Sequence, residues 1–242
     1  MQEPLAFVAG ATGYTGHEVV RALRRRDLRT LAHLRPDSPR RAEWVERFLD
    51  LGAEPDLTPW VLEAMTETFA RARPTHLFAL LGTTRARGRA AEADHRGAES
   101  YETVDYGLTA LLIDAARAAE LAPRFIYLSA AGVTPTSRTG YYAARARAEQ
   151  KLSESGLPYL IARPSFITGP DREESRPAER LGARVADSAL ALAGLLGGTR
   201  LASRYRSTTA AVLAESLVRL ALDPAATNRV IESEELRPVE SA

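Results

Sequence analysis

Short apolar runs rich in Val, Ile, Leu and Phe alternate along the chain with longer stretches whose apolar positions recur at helical spacing. The runs LAFVAG, LRTLAHL, THLFALLG, RFIYLSA and PYLIARP, with a weaker one in LGAEPDL, read as buried strands. The stretches at 15–26, 38–50, 60–72, 98–119 and 141–155 read as helices between them. Strands separated by helices pair in parallel, and right-handed crossovers then place helices on both faces of one sheet. The expected fold is therefore α/β, a doubly wound, mostly parallel sheet of Rossmann type, with ligands at the carboxyl ends of its strands.

After RPSFITGPD the alternation stops; helical patterns at 176–196 and 208–222 follow, then a short apolar piece, NRVIE. This predicts one domain over 1–242, in which about 165–242 forms a small, largely helical extension on the substrate side. Two long polar stretches, TTRARGRAAEADHRGAE and GPDREESRPAER, read as loops at the ligand-bearing edge.

Composition narrows the classes of function. Lysine plus arginine number 32 against 31 aspartate plus glutamate, so the net charge of +1 gives no electrostatic reason to expect nucleic acid or an anionic membrane as partner. The absence of cysteine excludes disulfides, thiolate ligands and thiol nucleophiles, and the 4 histidines lack metal-ligand spacing, so no metal site is expected. The N-terminus has neither the basic flank nor the apolar core of a targeting segment, and ALALAGLLGG is too short to span a bilayer; the expected location is the cytoplasm. Arg24, Arg25 and Arg26 close the first helix, where cations suit the helix dipole. Lys151 is the only lysine, so arginine carries nearly all the positive charge.

Candidate chemistry starts at the first strand. FVAGATGYTGHEVVRAL runs from an apolar strand through Gly10, Gly13 and Gly16 into an amphipathic helix, with Thr12, Tyr14 and Thr15 in the turn. Backbone amides at such a helix start can approach a pyrophosphate where side chains are missing, which marks a dinucleotide site. After the second strand, where an acid would hold a ribose 2′-hydroxyl, stands Arg35, a group suited to a 2′-phosphate, with Ser38 or Arg40 as helpers. NADP(H) is thus expected rather than NAD(H). Asp56 and Leu57 fall where such folds edge the adenine, and Leu80, Gly82 and Thr83 end the fourth strand beside the ribose and phosphates.

A second group lies further on. Ser129 ends the fifth strand and Tyr141 opens the following helix, an arrangement in which tyrosine protonates a carbonyl oxygen as hydride arrives and serine orients that oxygen. Free tyrosine titrates near about pH 10, so a nearby cation is required for exchange at neutral pH. Arg145, one helical turn after Tyr141, supplies it; the neighbouring Tyr142 meets only Ala146 at that spacing.

The segments GATGYTG, LGTTRARG, VDYGLTALLIDAA, LSAAG, YYAAR and above all RPSFITGPDREESRPAE resemble the short-chain dehydrogenase/reductase superfamily, in its atypical branch that contains the Tat-interacting protein. That resemblance implies an NADP(H)-binding Rossmann domain in which Ser129, Tyr141 and Arg145 match a Ser, Tyr, Lys set. It also implies that Pro164 and its neighbours lie against the nicotinamide, and that Asp105 stands where extended members often have an asparagine holding the active-site helix.

The chain departs from the pattern at Arg145, in place of lysine, and at Ala130, where the branch often has a second serine. Two readings follow. One is an NADPH-dependent reductase of a small carbonyl, enone or quinone. The other is a catalytically weak NADP(H)-sensing regulatory or scaffold protein whose polar loops serve a partner. A sugar-nucleotide epimerase fits less well, because the C-terminal tail is short for a substrate domain. The fourth and fifth helices offer surfaces for a homodimer or a protein partner.

Overall fold

The computed structural model describes residues 3–82, 100–138, 140–165, 167–168 and 208–236. Thr83, the polar stretches at 83–99 and 169–180, and the helical pattern at 176–196 lie outside the described residues.

β1 (Leu5–Ala9) is buried at every position, as a central parallel strand covered on both faces must be. Its side chains divide by the period of two. Ala6 and Val8 join one core with Val19, Leu23, Leu213 and Leu217, while Leu5, Phe7 and Ala9 join the other with Met65, Phe69, Leu112 and Leu152. The first core lies under α1 (Tyr14–Arg24) and the C-terminal α6 (Ala210–Leu222), the second under α3 (Leu62–Ala72), α4 (Thr109–Ala118) and α5 (Gly140–Glu154).

The sheet adds β2 (Arg29–His33), β3 (Glu54–Asp56), β4 (His76–Ala79), β5 (Arg124–Leu128), β6 (Tyr159–Arg163) and β9 (Arg229–Glu232), in the order β3-β2-β1-β4-β5-β6-β9. Every neighbouring pair is parallel. α2 (Arg41–Asp50) links β2 to β3. β7 (Ile167–Thr168) and β8 (Thr208–Thr209) form a separate two-stranded parallel pair. The chain builds outward from β1 to β3, returns to β4 on the other side of β1, and builds outward again; the crevice at this reversal is where doubly wound sheets bind ligands.

Two elements differ from the sequence expectation. NRVIE, expected as a short apolar piece of the extension, is the seventh strand of the main sheet, with Leu160 opposite Arg229. Together with α6 it completes the doubly wound layer, and Arg25 and Arg26 of the first helical segment are ion-paired to Glu215 of α6. The helix expected over 98–119 begins as a π-helical segment, Tyr101–Leu108, before α4. Ser100 and Thr103 cap it reciprocally, Thr103 N donating to Ser100 Oγ at 3.0 Å and Ser100 N to Thr103 Oγ1 at 2.9 Å. The wider winding turns Asp105 inward, to 0 % exposure.

The turn between β1 and α1 depends on two glycines that touch. Gly10 has φ +81°, and a Cβ on Gly16 would lie 2.0 Å from the Gly10 carbonyl oxygen. Gly16→Ala is therefore expected to destabilise the fold by about 1–3 kcal/mol. Chemical denaturation checks it; unchanged stability would mean that the turn relaxes around the added methyl.

Candidate active site at the carboxyl ends of the central strands

Gly13 caps α1 without any side-chain hydrogen bond, and no acidic residue occupies the first turn. At this helix start Gly13 N donates to the Gly10 carbonyl at 2.9 Å, Thr12, Gly13 and Tyr14 are half-buried, and Thr15 and Gly16 are buried. Gly10 and Gly16 are required by the turn itself, where main chain packs directly on main chain: a Cβ on Gly10 would sit 2.6 Å from the Leu80 carbonyl oxygen and one on Gly16 2.0 Å from the Gly10 carbonyl oxygen.

Arg35 follows β2 half-exposed, its Nε 3.9 Å from Asp37 Oδ1. Arg40 is engaged otherwise: it forms a fork onto Glu43 through two 2.8 Å bonds and lies over the Trp44 ring. Asp56 ends β3 with its carboxylate turned to Thr58, accepting from its amide at 3.2 Å and its hydroxyl at 3.1 Å, and Leu57 beside it is exposed. Leu80 is buried after β4, and Gly82 is the last described residue before the first polar stretch.

The second group gathers where β4, β5, β6 and α5 meet. Ser129 N donates to Ala162 O at 2.8 Å and Ala131 N to Pro164 O at 2.9 Å, which locks the end of β5 to the Arg163–Pro164 segment. Helix α5 presents Tyr141, Arg145 and Glu149 on one face, at successive turns. Arg145 is buried; it donates to Asp105 Oδ1 at 2.8 Å, to the carbonyl of Leu128 and to that of Leu81 at 3.4 Å. Its guanidinium also lies 4.8 Å from the centre of the Tyr141 ring. A Cβ on Gly82 would come within 2.9 Å of Arg145 Nη2, so the missing side chain there makes room for the guanidinium.

The cation expected beside Tyr141 is in place, as one member of an ion pair whose partner, Asp105, is completely buried. Burial pushes the Tyr141 phenol above its ordinary value, the positive charge of Arg145 pulls it back, and Asp105 pushes it further up; burial prevails. The ring is held edge-on by Tyr101 at 5.3 Å and by Tyr142 at 5.2 Å.

Ser129 is the residue whose environment could not be foreseen. Its Oγ donates to Glu149 Oε1 at 2.5 Å, and Glu149 in turn receives Arg163 Nε at 3.0 Å and Nη2 at 2.6 Å. Arg163 continues to Glu232 of β9 at 3.1 Å. The available signal was Glu149 falling one turn after Arg145 and two after Tyr141.

Tyr127 is fully buried beside this group, and its hydroxyl has no hydrogen-bond partner among the described residues. Tyr127→Phe removes that buried, unpaired hydroxyl and is expected to stabilise the protein by about 1 kcal/mol, raising Tm by about 2–4 °C. Differential scanning calorimetry checks it; a lower Tm would mean that the hydroxyl has a partner in solution.

Elsewhere the chemistry is plain. His33 is buried with its Nε2 2.8 Å from the Thr58 carbonyl, and burial lowers its pKa, so it packs as a neutral ring against Trp60. Among the described residues no three His, Asp or Glu side chains are grouped to hold a metal, and no helix is long and apolar enough to cross a membrane.

A family model described as NAD(P)H-binding matches residues 10–191. Protein fmp52, mitochondrial, of Aspergillus clavatus is 30 % identical over 181 residues, which cover 70 % of this chain and 69 % of that protein. Among solved structures, the NADPH-dependent quinone oxidoreductase of Escherichia coli, complexed with NADPH, superposes with a TM-score of 0.60 at 19 % identity, covering 94 % of this chain and 68 % of that one. UDP-N-acetylglucosamine 4-epimerase from Bacillus cereus gives a TM-score of 0.60 at 14 % identity, over 94 % and 76 % of the two chains. At these identities the two structures share the fold with this chain.

Proposed function

The chain belongs to the NAD(P)H-binding family, and from that premise we propose that it is an NADPH-dependent reductase of a small carbonyl, enone or quinone, with Tyr141 as general acid. The observation that carries the reading is the placement of Tyr141: a half-buried phenol, held above its ordinary pKa, on the helix turn that also brings Arg145 to the end of β5. A phenol that stays protonated at neutral pH suits proton donation in reduction and disfavours the reverse oxidation, which needs a phenolate base.

In this reading the start of α1 after the glycine turn holds the pyrophosphate, Arg35 the 2′-phosphate, and Asp56 and Leu57 flank the adenine. Leu80 and Gly82 line the ribose side, and Pro164 backs the nicotinamide. The bound dinucleotide supplies the hydride. Tyr141 gives its proton to the developing oxyanion, and Ser129 is the second polar group at the reacting end. Arg145 holds the Tyr141 ring and the Leu128 carbonyl in place while its charge is balanced by Asp105. The NADPH-dependent quinone oxidoreductase among the structures of the same fold is in keeping with this chemistry.

Cofactor choice is tested at Arg35. Arg35→Ser is expected to weaken NADPH binding about ten- to a hundredfold, the loss of a charge-assisted contact, and to leave NADH binding unchanged. Parallel titrations with the two nucleotides measure it; an equal loss for both would assign Arg35 to the fold instead.

The commitment of Arg145 to Asp105 and to main-chain carbonyls favours the second reading, an NADP(H)-responsive regulatory or scaffold protein with weak or absent turnover. The two readings separate by assay. NADPH oxidation with a panel of carbonyls, enones and quinones supports the reductase. Binding without oxidation, accompanied by NADPH protection of the 83–99 and 169–180 segments from proteolysis, supports the sensor.

A further inference from the structure

The hydrogen of the Ser129 hydroxyl is already in use. Ser129 is 4 % and Glu149 8 % exposed, and their 2.5 Å contact is a buried hydrogen bond to a carboxylate, the strong, charge-assisted kind. A carboxylate only accepts, so the hydrogen lies between the two residues and Ser129 turns lone pairs to its other side. The carboxylate cannot turn away, because Arg163 forks onto both of its oxygens and is itself tied to Glu232. A serine so held cannot also donate to a bare carbonyl oxygen.

We infer that Glu149 is a positioning residue that fixes Ser129 as a hydrogen-bond acceptor toward the cleft, and that the substrate is an α-hydroxy carbonyl compound. Its hydroxyl donates to Ser129 while the adjacent carbonyl oxygen faces Tyr141. This rests on the reductase reading and narrows it: a quinone or simple ketone offers two acceptors or one, and no donor, to this pair. The reaction adds hydrogen across one C=O bond. The hydride of NADPH bonds to the carbonyl carbon, leaving NADP⁺, and the π pair moves onto oxygen, which takes the Tyr141 proton. The product is a vicinal diol, and water restores the tyrosine proton. The substrate hydroxyl stays intact throughout.

The test compares hydroxyacetone with methoxyacetone, which differ in this donor, as substrates of the full chain with NADPH. The wild type is expected to favour hydroxyacetone in kcat/KM by about tenfold or more, since the ether leaves a desolvated acceptor unpaired. Ser129→Ala should bring the ratio near unity. Glu149→Gln should lower it as well, because an amide can donate to Ser129 and release its hydrogen toward the cleft. A merely structural Glu149 would slow both probes alike and keep the ratio. The double variant should show the ratio of Ser129→Ala alone; if Glu149→Gln does not fold, Ser129→Ala decides. Equal kcat/KM for the two probes in the wild type overturns the inference, as does an unchanged ratio in Ser129→Ala. Preferential turnover of a quinone overturns this inference and leaves the reductase reading standing. No oxidation of NADPH by hydroxyacetone, with turnover of other acceptors of the panel, overturns this inference alone; NADPH that survives the whole panel of carbonyls, enones and quinones removes the reductase reading itself.

Discussion

Tyr141→Phe is expected to lower NADPH-dependent reduction by about 10²–10⁴-fold, the range associated with loss of a positioned general acid, while NADPH affinity stays within about threefold. The substitution removes one oxygen and nothing else. The ring keeps its edge-on contact with Tyr101 at 5.3 Å and its place 4.8 Å from the Arg145 guanidinium, so folding stability changes little. The pH profile carries the same signature. Because burial holds the phenol above its ordinary value, Tyr141 stays protonated through the neutral range, and reduction shows no decline from its titration below about pH 10. A profile falling between neutrality and pH 9, roughly one unit below the ordinary phenol, would mean that Arg145 outweighs burial. Activity equal to wild type in the phenylalanine variant would assign the acid elsewhere.

Arg145→Met is expected to cost about 3–5 kcal/mol of folding stability, because it strands the carboxylate of Asp105 in the interior. For a chain of this length that is a fall in Tm of about 6–20 °C. Asp105 is 0 % exposed and Arg145 5 %, and the 2.8 Å bond between them ties the π-helical segment to α5. Replacing both members, as Asp105→Leu with Arg145→Met, should recover most of the loss, since no buried charge remains. Arg145→Lys is the sharper comparison. If the arginine were a simple stand-in for the family's lysine, the lysine variant would keep the stability and gain activity. In the observed geometry one ammonium cannot serve Asp105, Leu128 O and Leu81 O together, so the variant should be less stable than wild type by about 1–3 kcal/mol. Thermal unfolding of the four proteins settles it; unchanged stability in Arg145→Met would show that the ion pair does not hold the site together.

What could be read from the chain follows from the reach of its signals. The alternation of apolar runs with helical periods identified the strands from LAFVAG to PYLIARP, because burial on both faces leaves an unbroken apolar run. NRVIE carries the same signal weakly, and its partner, Leu160, is 69 residues away from Arg229, beyond any local pattern. The π-helical winding of Tyr101–Leu108 is invisible because its apolar positions fit a helix of ordinary pitch equally well. At the site, the glycine turn was legible from spacing alone, since Gly10 and Gly16 touch within one turn. The engagement of Arg40 by Glu43 lies at helical spacing, within the range of a local sequence pattern. The pairing of Arg145 with Asp105 bridges 40 positions and depends on the π winding, so sequence could place the two residues but not join them. Glu149 sat in plain view on the helix face of Tyr141 and Arg145, yet its link to Ser129 needs the register of β5 against α5.

The most direct measurement of the central claim is a single-turnover experiment in which protein holding a stoichiometric amount of NADPH is mixed with a panel of small carbonyl, enone and quinone acceptors. Near-ultraviolet absorbance follows the reduced nicotinamide. At least one acceptor is expected to consume the bound NADPH completely in the wild type, and at least about a hundredfold more slowly in Tyr141→Phe. NADPH that binds tightly yet survives the whole panel unconsumed would contradict it.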